Sequence, residues 1–273
     1  MISADSKTRL LLRLLYLETT NLDSRSTTTA GIREFRGFST FLKKIGNCIC
    51  GRNGDMGSEG PKNVVIHVTG FKKFQGVAEN PTETIVDNLK DFVDKRGLPA
   101  GVTLGSCTIL ETAGDGALPT LYKVLESGTA ATNDDKNEQI VWLHLGVNNG
   151  ALRFAIERLA ANEATFLCPD ELGWQPLQHP IVPEDGEISC TRETCCSIEE
   201  VLRFLKKKGY EVTISDDAGR FVCNYVYYHS LRFAEQKGYK SLFVHVPSFL
   251  RIDEETQMHF VASLIEAIAS TCQ

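Results

Sequence analysis

The sequence has no long apolar run. A membrane-spanning helix needs roughly 18 or more consecutive apolar residues. The longest candidate among the 273 residues, at 10–17, is shorter than that and contains Arg13. The sequence therefore predicts no membrane-spanning helix and no membrane partner.

An excess of basic residues is also missing. The chain has 29 Lys and Arg against 35 Asp and Glu, and its formal net charge is −6. Nucleic acids favour proteins with basic surfaces. The charge balance therefore predicts that the protein has no nucleic-acid partner.

The nine cysteines lack the spacing of a metal site or a disulfide framework. No C-x-x-C pair occurs, and neither Cys48 with Cys50 nor Cys195 with Cys196 has a second pair at zinc spacing. The number of cysteines is odd and their spacing irregular, whereas a small secreted protein held by disulfides usually has an even number of them. We expect reduced thiols, no bound metal and a cytoplasmic protein.

Residues 1–55 differ in composition from the rest. They hold nine Lys and Arg against five acids and are rich in Ser and Thr. This profile is typical of an organellar transit peptide, although five acids weaken the match. The alternatives are a disordered leader or sequence upstream of a start at Met56. We predict a disordered or targeting extension over 1–58 and one folded domain over 59–273. A targeting role would place the protein in the chloroplast or mitochondrion.

From residue 61 onward, short apolar runs alternate with segments of helical spacing. The runs at 64–69, 102–110, 140–145, 211–214 and 241–246 predict strands, and the segments 83–95, 118–125, 197–208, 216–236 and 254–270 predict helices. We expect Asp216 or Asp217 to cap the fourth helix and Gly238 to end it. Continuous apolar strands are typical of a sheet buried on both faces. The sequence predicts the α/β class: a single-domain, mostly parallel twisted sheet flanked by helices on both faces, a phosphorylase/hydrolase-like sandwich.

Reactive side chains in such folds collect beyond the carboxyl ends of the strands. Cys223 lies in the first turns of the fourth predicted helix, where the helix dipole favours a thiolate. His245 lies near the end of a predicted strand and could serve as a base for a thiol. His67 and His144 also lie in predicted strands and could take the same role. These residues indicate an α/β protein with a candidate Cys–His hydrolase site.

Four blocks of sequence resemble the pyroglutamyl peptidase I family (the pyrrolidone-carboxylate peptidases), in the family's order. They are VTGFKKFQG at 68–76 followed by ENPT at 79–82, LGV at 145–147 leading to IERLAAN at 156–162, DAGRFVCN at 217–224, and LFVHVP at 242–247. The resemblance covers about residues 62–270, and the extension has no counterpart. Residues 59–273 are therefore expected to form a catalytic domain like that of the pyroglutamyl peptidases.

The resemblance implies a cysteine exopeptidase that needs no cofactor. It would hydrolyse the amide bond after an N-terminal pyroglutamyl (5-oxoprolyl) residue of peptides, through a thioester intermediate. By similarity, Cys223 is the nucleophile, His245 the general base and then acid, and Glu157 the carboxylate that orients the imidazole. Backbone N–H groups near Cys223 or in the loop 146–150 are expected to form the oxyanion hole.

The resemblance also implies an apolar, closed pocket for the neutral lactam ring of the substrate. Its walls would include Phe71 and Phe74, with Phe221 and Val222 beside the nucleophile and Asn80 as a nearby polar contact. The chain departs from the family at the loop after 146. There Val147 stands at the position of a side-chain amide that can contact the lactam.

Two other readings compete with a peptidase. A non-catalytic homologue would bind blocked peptide N-termini without cleaving them. A nucleoside phosphorylase has a similar architecture, but no convincing Gly- and Arg-rich phosphate loop is found in the sequence. The expected partners are peptides with N-terminal pyroglutamate, and assembly into a homo-oligomer stays open.

Overall fold

The computed structural model describes residues 63–130 and 138–272. The predicted extension at 1–58 lies outside these residues, and so do Cys48 and Cys50. Within the described part of the chain, no helix is both long and apolar enough to cross a membrane.

Strands and helices alternate along the described residues. The strands are β1 (Asn63–Phe71), β2 (Val102–Leu110), β3 (Glu138–Val147), β4 (Phe154–Glu157), β5 (Leu159–Ala161), β6 (Thr191–Glu193), β7 (Val212–Ser215) and β8 (Lys240–Val246). The helices are α1 (Pro81–Arg96), α2 (Gly114–Ala130), α3 (Ile198–Lys207), α4 (Val222–Lys237) and α5 (Glu254–Ser270). Every strand and helix expected from the sequence is present, whereas β4, β5 and β6 were not predicted.

Six strands form one sheet in the order β2-β1-β3-β8-β4-β7. All neighbours in it are parallel except β4 and β8, which run antiparallel. Only the loop 148–153 connects β3 to β4. A connection this short cannot carry the chain back across the sheet, so β4 runs opposite to β3 and β8. The small strands β5 and β6 pair separately.

Helices cover both faces of the sheet, as predicted for this α/β fold. Residues of α1, α3 and α5 pack in one hydrophobic cluster, and residues of α2 and α4 pack in the other. Successive side chains of a strand point to opposite faces. In β3, Val141 and Leu143 therefore join the first cluster, while Ile140 and Trp142 join the second. Both faces need apolar side chains, which explains the continuous apolar runs in the sequence.

The start of α4 differs from the sequence prediction. Neither Asp216 nor Asp217 caps the helix. The N-cap residue is Phe221, whose side chain makes no capping hydrogen bond. The Asp217 carboxylate instead accepts the N–H of Gly219 in the preceding turn, where φ of Gly219 is +80°. Five residues separate Asp216 from the helix, and Cys223 becomes its second residue. Gly238 ends α4 in the left-handed conformation, as expected.

Candidate active site

Cys223 is held at the sheet by the first turn of α4. The neighbouring side chain, Asn224, is fully buried. Its Oδ1 accepts the N–H of Ala161 at 2.9 Å, and its Nδ2 donates to the carbonyls of Ala161 at 2.9 Å and Glu163 at 3.0 Å. These three bonds fix the helix start against the chain that follows β4. The backbone of Cys223 therefore has little freedom to move.

Glu157 and His245 meet across the antiparallel pair β4–β8. Ala155 lies opposite His245 and Glu157 lies opposite Phe243, so the Glu157 and His245 side chains are diagonal neighbours. The His245 Nδ1 and Glu157 Oε1 atoms are 2.8 Å apart. Glu157 is 2 % exposed and His245 8 % exposed. The contact is thus a buried carboxylate–imidazole pair.

The other side of the His245 ring faces Cys223. Burial lowers the pKa of His245, but hydrogen bonds and charge interactions with Cys223 and Glu157 outweigh it and raise the pKa to about 10. Since Nδ1 is engaged by Glu157, Nε2 is the ring atom left for the sulfur. A cationic His245 can donate one proton to each neighbour. The arrangement can therefore pass a proton between Cys223 and His245.

These three residues line a cavity of about 350 Å³ at the end of the sheet. The same cavity is lined by the six residues that were expected to contact the substrate: Phe71, Phe74, Asn80, Val147, Phe221 and Val222. The Phe74 and Phe221 rings are tilted toward each other at 6.3 Å between centroids. The structure thus brings all nine predicted site residues to one place.

Asn80 lines the cavity, but its amide serves the local fold. Its Oδ1 accepts the Thr82 N–H at 3.1 Å and the Thr82 hydroxyl at 2.9 Å, which caps α1. Its Nδ2 donates to the carbonyl of Lys72 at 3.0 Å. The side chain is 2 % exposed. Asn80 therefore holds the turn that carries Phe71 and Phe74.

The two alternative histidines lie away from the cavity. The Nδ1 atom of His67 accepts the backbone N–H of Ser106 at 3.0 Å. His144 is fully buried, with Nδ1 at 2.7 Å from the Thr69 hydroxyl and Nε2 at 2.7 Å from the Ser230 hydroxyl. Burial lowers the pKa of His144 to about 3. Both imidazoles belong to hydrogen-bonded structure, and neither lines the cavity.

A family model described as pyroglutamyl peptidase matches residues 64–258. The chain belongs to the pyroglutamyl peptidase family. A pyrrolidone-carboxylate peptidase of Pyrococcus furiosus is 31% identical over 182 residues, covering 66% of this chain and 79% of that protein. One from Klebsiella pneumoniae is 32% identical over 181 residues, covering 66% and 76%.

Solved structures agree in fold. A mutant pyrrolidone carboxyl peptidase from Pyrococcus furiosus superposes with a TM-score of 0.66 at 27% identity, covering 77% of this chain and 100% of that one. The enzyme from Thermococcus litoralis, at 24% identity and a TM-score of 0.64, shares the fold over 76% of this chain and 93% of its own. The protein is accordingly a pyroglutamyl peptidase, a hydrolase of the cysteine peptidase class.

More residues line the cavity than the sequence analysis named. The additional ones are Thr112, Asn148, Asn149, Ala155, Ser215, Asp217, Ala218 and Gly219. Thr112 follows β2, Asn148 follows β3, and Ser215 ends β7. Their positions at strand ends were a usable signal, because ligands in such folds bind beyond the carboxyl ends of the strands. Ala155 had no signal, since β4 was not predicted.

Glu157, His245 and Cys223 place a carboxylate, an imidazole and a thiol next to one another at the cavity. Among residues 63–130 and 138–272, no three His, Cys, Asp or Glu side chains are grouped so that they could hold a metal ion. A nucleophile beside a base that is oriented by a third group can carry out acyl transfer by itself.

Proposed function

We propose that this pyroglutamyl peptidase is a cysteine exopeptidase that forms a thioester on Cys223. The observation that supports the proposal best is the buried Glu157–His245 pair at 2.8 Å with Cys223 against the other side of the ring. In this proposal Cys223 is the nucleophile, His245 carries the proton, and Glu157 orients the ring and stabilises its charge.

In the first step, the Cys223 thiolate attacks the carbonyl carbon of the pyroglutamyl residue. The carbonyl oxygen becomes negatively charged in the tetrahedral intermediate. Val222 and Cys223 are the first two residues of α4, whose N-terminal N–H groups have no acceptor within the helix. These groups can donate to the oxyanion, and the helix dipole favours negative charge at the same point.

In the second step, the intermediate collapses and the carbon–nitrogen bond breaks. His245 gives its Nε2 proton to the leaving amine, which departs as the shortened peptide, and the pyroglutamyl group stays on sulfur as a thioester. His245 then accepts a proton from water while the water oxygen attacks the thioester carbonyl. Free pyroglutamate leaves, and the thiolate–imidazolium pair is restored.

The pocket walls suit a neutral, flat ring. Phe71, Phe74, Phe221 and Val222 supply apolar surface, and Val147 adds no side-chain polar atom. The lactam N–H and C=O must therefore be met by other groups that line the cavity, such as backbone atoms. A site that hydrogen-bonds these groups would reject a prolyl end, because its buried polar atoms would then be unpaired.

The test is release of fluorophore from a pyroglutamyl-coumarin amide by the full chain. We expect the variant Cys223→Ala to lose the activity completely, while Cys168→Ala, at an exposed thiol, keeps it. Acid quenching of the wild-type enzyme during turnover should also leave the mass of one pyroglutamyl group on the peptide that contains Cys223. Full activity of the Cys223→Ala variant would rule the proposal out.

The second candidate, a non-catalytic binding module, makes the opposite prediction. It would bind pyroglutamyl peptides without releasing product, and its Cys223 would not be acylated. The buried Glu157–His245 pair favours the enzyme, because burying charge is costly and a binding site has no need of it. The nucleophile must be a reduced thiol, so we propose a reducing compartment such as the cytoplasm.

A further inference from the structure

Gly146 lies where β3 meets both the nucleophile and the histidine strand. It pairs with His245 across β3 and β8. A Cβ atom built on Gly146 would lie 2.9 Å from the Cys223 sulfur and 2.6 and 2.7 Å from two atoms of the Phe243 ring. Carbon atoms in proteins do not approach neighbours this closely. Any side chain at position 146 would therefore have to displace one of them.

The backbone conformation does not explain the glycine. Gly146 is in a β-strand, and it is not among the glycines with positive φ. Any amino acid could adopt this conformation. The requirement at position 146 is therefore one of space.

The two neighbours differ in how easily they can move. The Phe243 ring is fully buried and lies 4.9 Å from the His245 ring, 5.5 Å from Tyr227 and 6.3 Å from Phe71. A ring packed in this way has no free space to turn into. The backbone of Cys223 is held by its helix. The sulfur, by contrast, can rotate about the Cα–Cβ bond into another rotamer, away from Gly146.

We propose that Gly146 is a positioning residue for the nucleophile. Its missing side chain leaves the space that the Cys223 sulfur occupies beside His245. A larger residue turns the sulfur out of this space and separates it from the imidazole. The inference rests on the proposed function of Cys223. Gly146 itself touches no substrate and is not a lining residue of the cavity.

The experiment compares Gly146→Ala with Gly105→Ala. Gly105 also lies in a strand and lacks positive φ, but a Cβ there would lie 2.6 Å from the His67 ring and not beside Cys223. A displacement of about 1 Å costs roughly 100-fold in rate, so we expect G146A to lower kcat by about that factor. Because the walls of the pocket are unchanged, KM should stay within about threefold. Folded G105A should match the wild type in both constants, because neither Gly105 nor His67 lines the cavity.

A second readout follows the sulfur directly. Iodoacetamide alkylation of Cys223 at pH 7, measured by peptide mass spectrometry, is compared with alkylation of the exposed Cys168 in the same sample. We expect G146A to slow the reaction of Cys223 at least about tenfold relative to Cys168, because a sulfur away from His245 loses its charged partner. A merely structural loss of stability would leave this ratio in the folded fraction unchanged.

The contact with Phe243 could by itself prevent G146A from folding. Comparing F243L with G146A/F243L separates the two contacts. Leucine at position 243 removes the ring atoms that a Cβ at position 146 would meet, while the contact of that Cβ with the Cys223 sulfur remains. The double variant should have a kcat at least about tenfold below that of F243L alone. Equal values, or a folded G146A with wild-type kcat and alkylation ratio, would overturn the inference. Activity in Cys223→Ala would instead overturn the proposed function.

Discussion

His245 is buried, yet its neighbours favour its charged form. The Glu157 carboxylate and the Cys223 sulfur flank the ring, and their combined effect exceeds the cost of burial. The second carboxylate oxygen of Glu157, Oε2, is buried and has no hydrogen-bond partner among the described residues. Such an arrangement is expensive in free energy. The proton that His245 carries in the proposed mechanism explains it more readily than a contribution to stability does.

We expect Glu157→Gln to lower kcat by about 10²–10⁴-fold, as loss of the orienting carboxylate does in related nucleophile–base sets. The amide keeps the shape of the carboxylate but not its charge, and its NH₂ group can force the wrong imidazole tautomer. KM should change by no more than about threefold. The control is Glu199→Gln, an exposed partner of Arg158. Unchanged kcat in E157Q would contradict the role of Glu157.

The raised pKa of His245 also predicts how stability depends on pH. A group whose pKa is raised by folding, here from 6.5 to about 10, contributes stability that is fully present below pH 6.5. This contribution is lost as pH rises through about 10. In E157Q the pKa of His245 falls, so the loss should be smaller than in the wild type. Urea unfolding of the wild type and E157Q at pH 6 and pH 10 measures how much unfolding free energy each protein loses. An identical loss in both would argue against the ion pair.

At the scale of elements, the turn between β1 and α1 forms one side of the pocket. Asn80 caps α1 and holds the Lys72 carbonyl, which also accepts the Thr112 hydroxyl at 2.7 Å. The Thr82 hydroxyl accepts the N–H of Phe71 at 3.0 Å. This network joins the end of a strand to the start of a helix. The positions of the Phe71 and Phe74 rings therefore depend on the cap.

Asn80→Ala should consequently affect stability and substrate binding together. Loss of the N-cap is expected to lower the free energy of unfolding by about 1–2 kcal/mol. The loosened turn should raise KM more than it lowers kcat. Asn88→Ala on the exposed side of the same helix is the control, with an expected change within about 0.5 kcal/mol. Urea unfolding and steady-state kinetics give the two readouts, and an unchanged KM in N80A would show that the turn does not depend on the cap.

At the scale of the whole molecule, the site is assembled from distant parts of one sheet. The residues that line the cavity span 71 to 245, and they come from the ends of β1, β2, β3, β4, β7 and β8 and the start of α4. The family match covers the same part of the chain, 64–258. None of the residues proposed to act in catalysis comes from the predicted extension.

We therefore expect a chain that begins at residue 59 to be fully active. Its kcat/KM for the pyroglutamyl-coumarin amide should equal that of the full chain within about twofold. Loss of activity on removing residues 1–58 would show that the extension contributes to the enzyme. Mass spectrometry of the mature N-terminus in cells would show whether the extension is removed, as a transit peptide is.

The α/β class could be predicted because each of its signals is local. A run such as 140–145 is apolar throughout, and residues 254–270 repeat apolar side chains at helical spacing, so neighbouring residues alone indicate the element. The strands β4, β5 and β6 have only three or four residues each. Segments this short carry little periodic pattern, and their pairing depends on partners elsewhere in the chain. The strand β7, which also has four residues, could be predicted because it lies between two predicted helices.

The sequence alone was enough to indicate the fold class, the family resemblance and the candidate residues Glu157, Cys223 and His245. By spacing alone, His67 and His144 were equally good candidates. The family resemblance pointed to His245, and the tertiary structure shows that, of the three, only His245 lines the cavity. The deciding contact joins Glu157 to His245 over a separation of 88 residues. Two side chains that far apart meet only when the sheet is assembled, because the order and direction of its strands, and not any local pattern, set their distance.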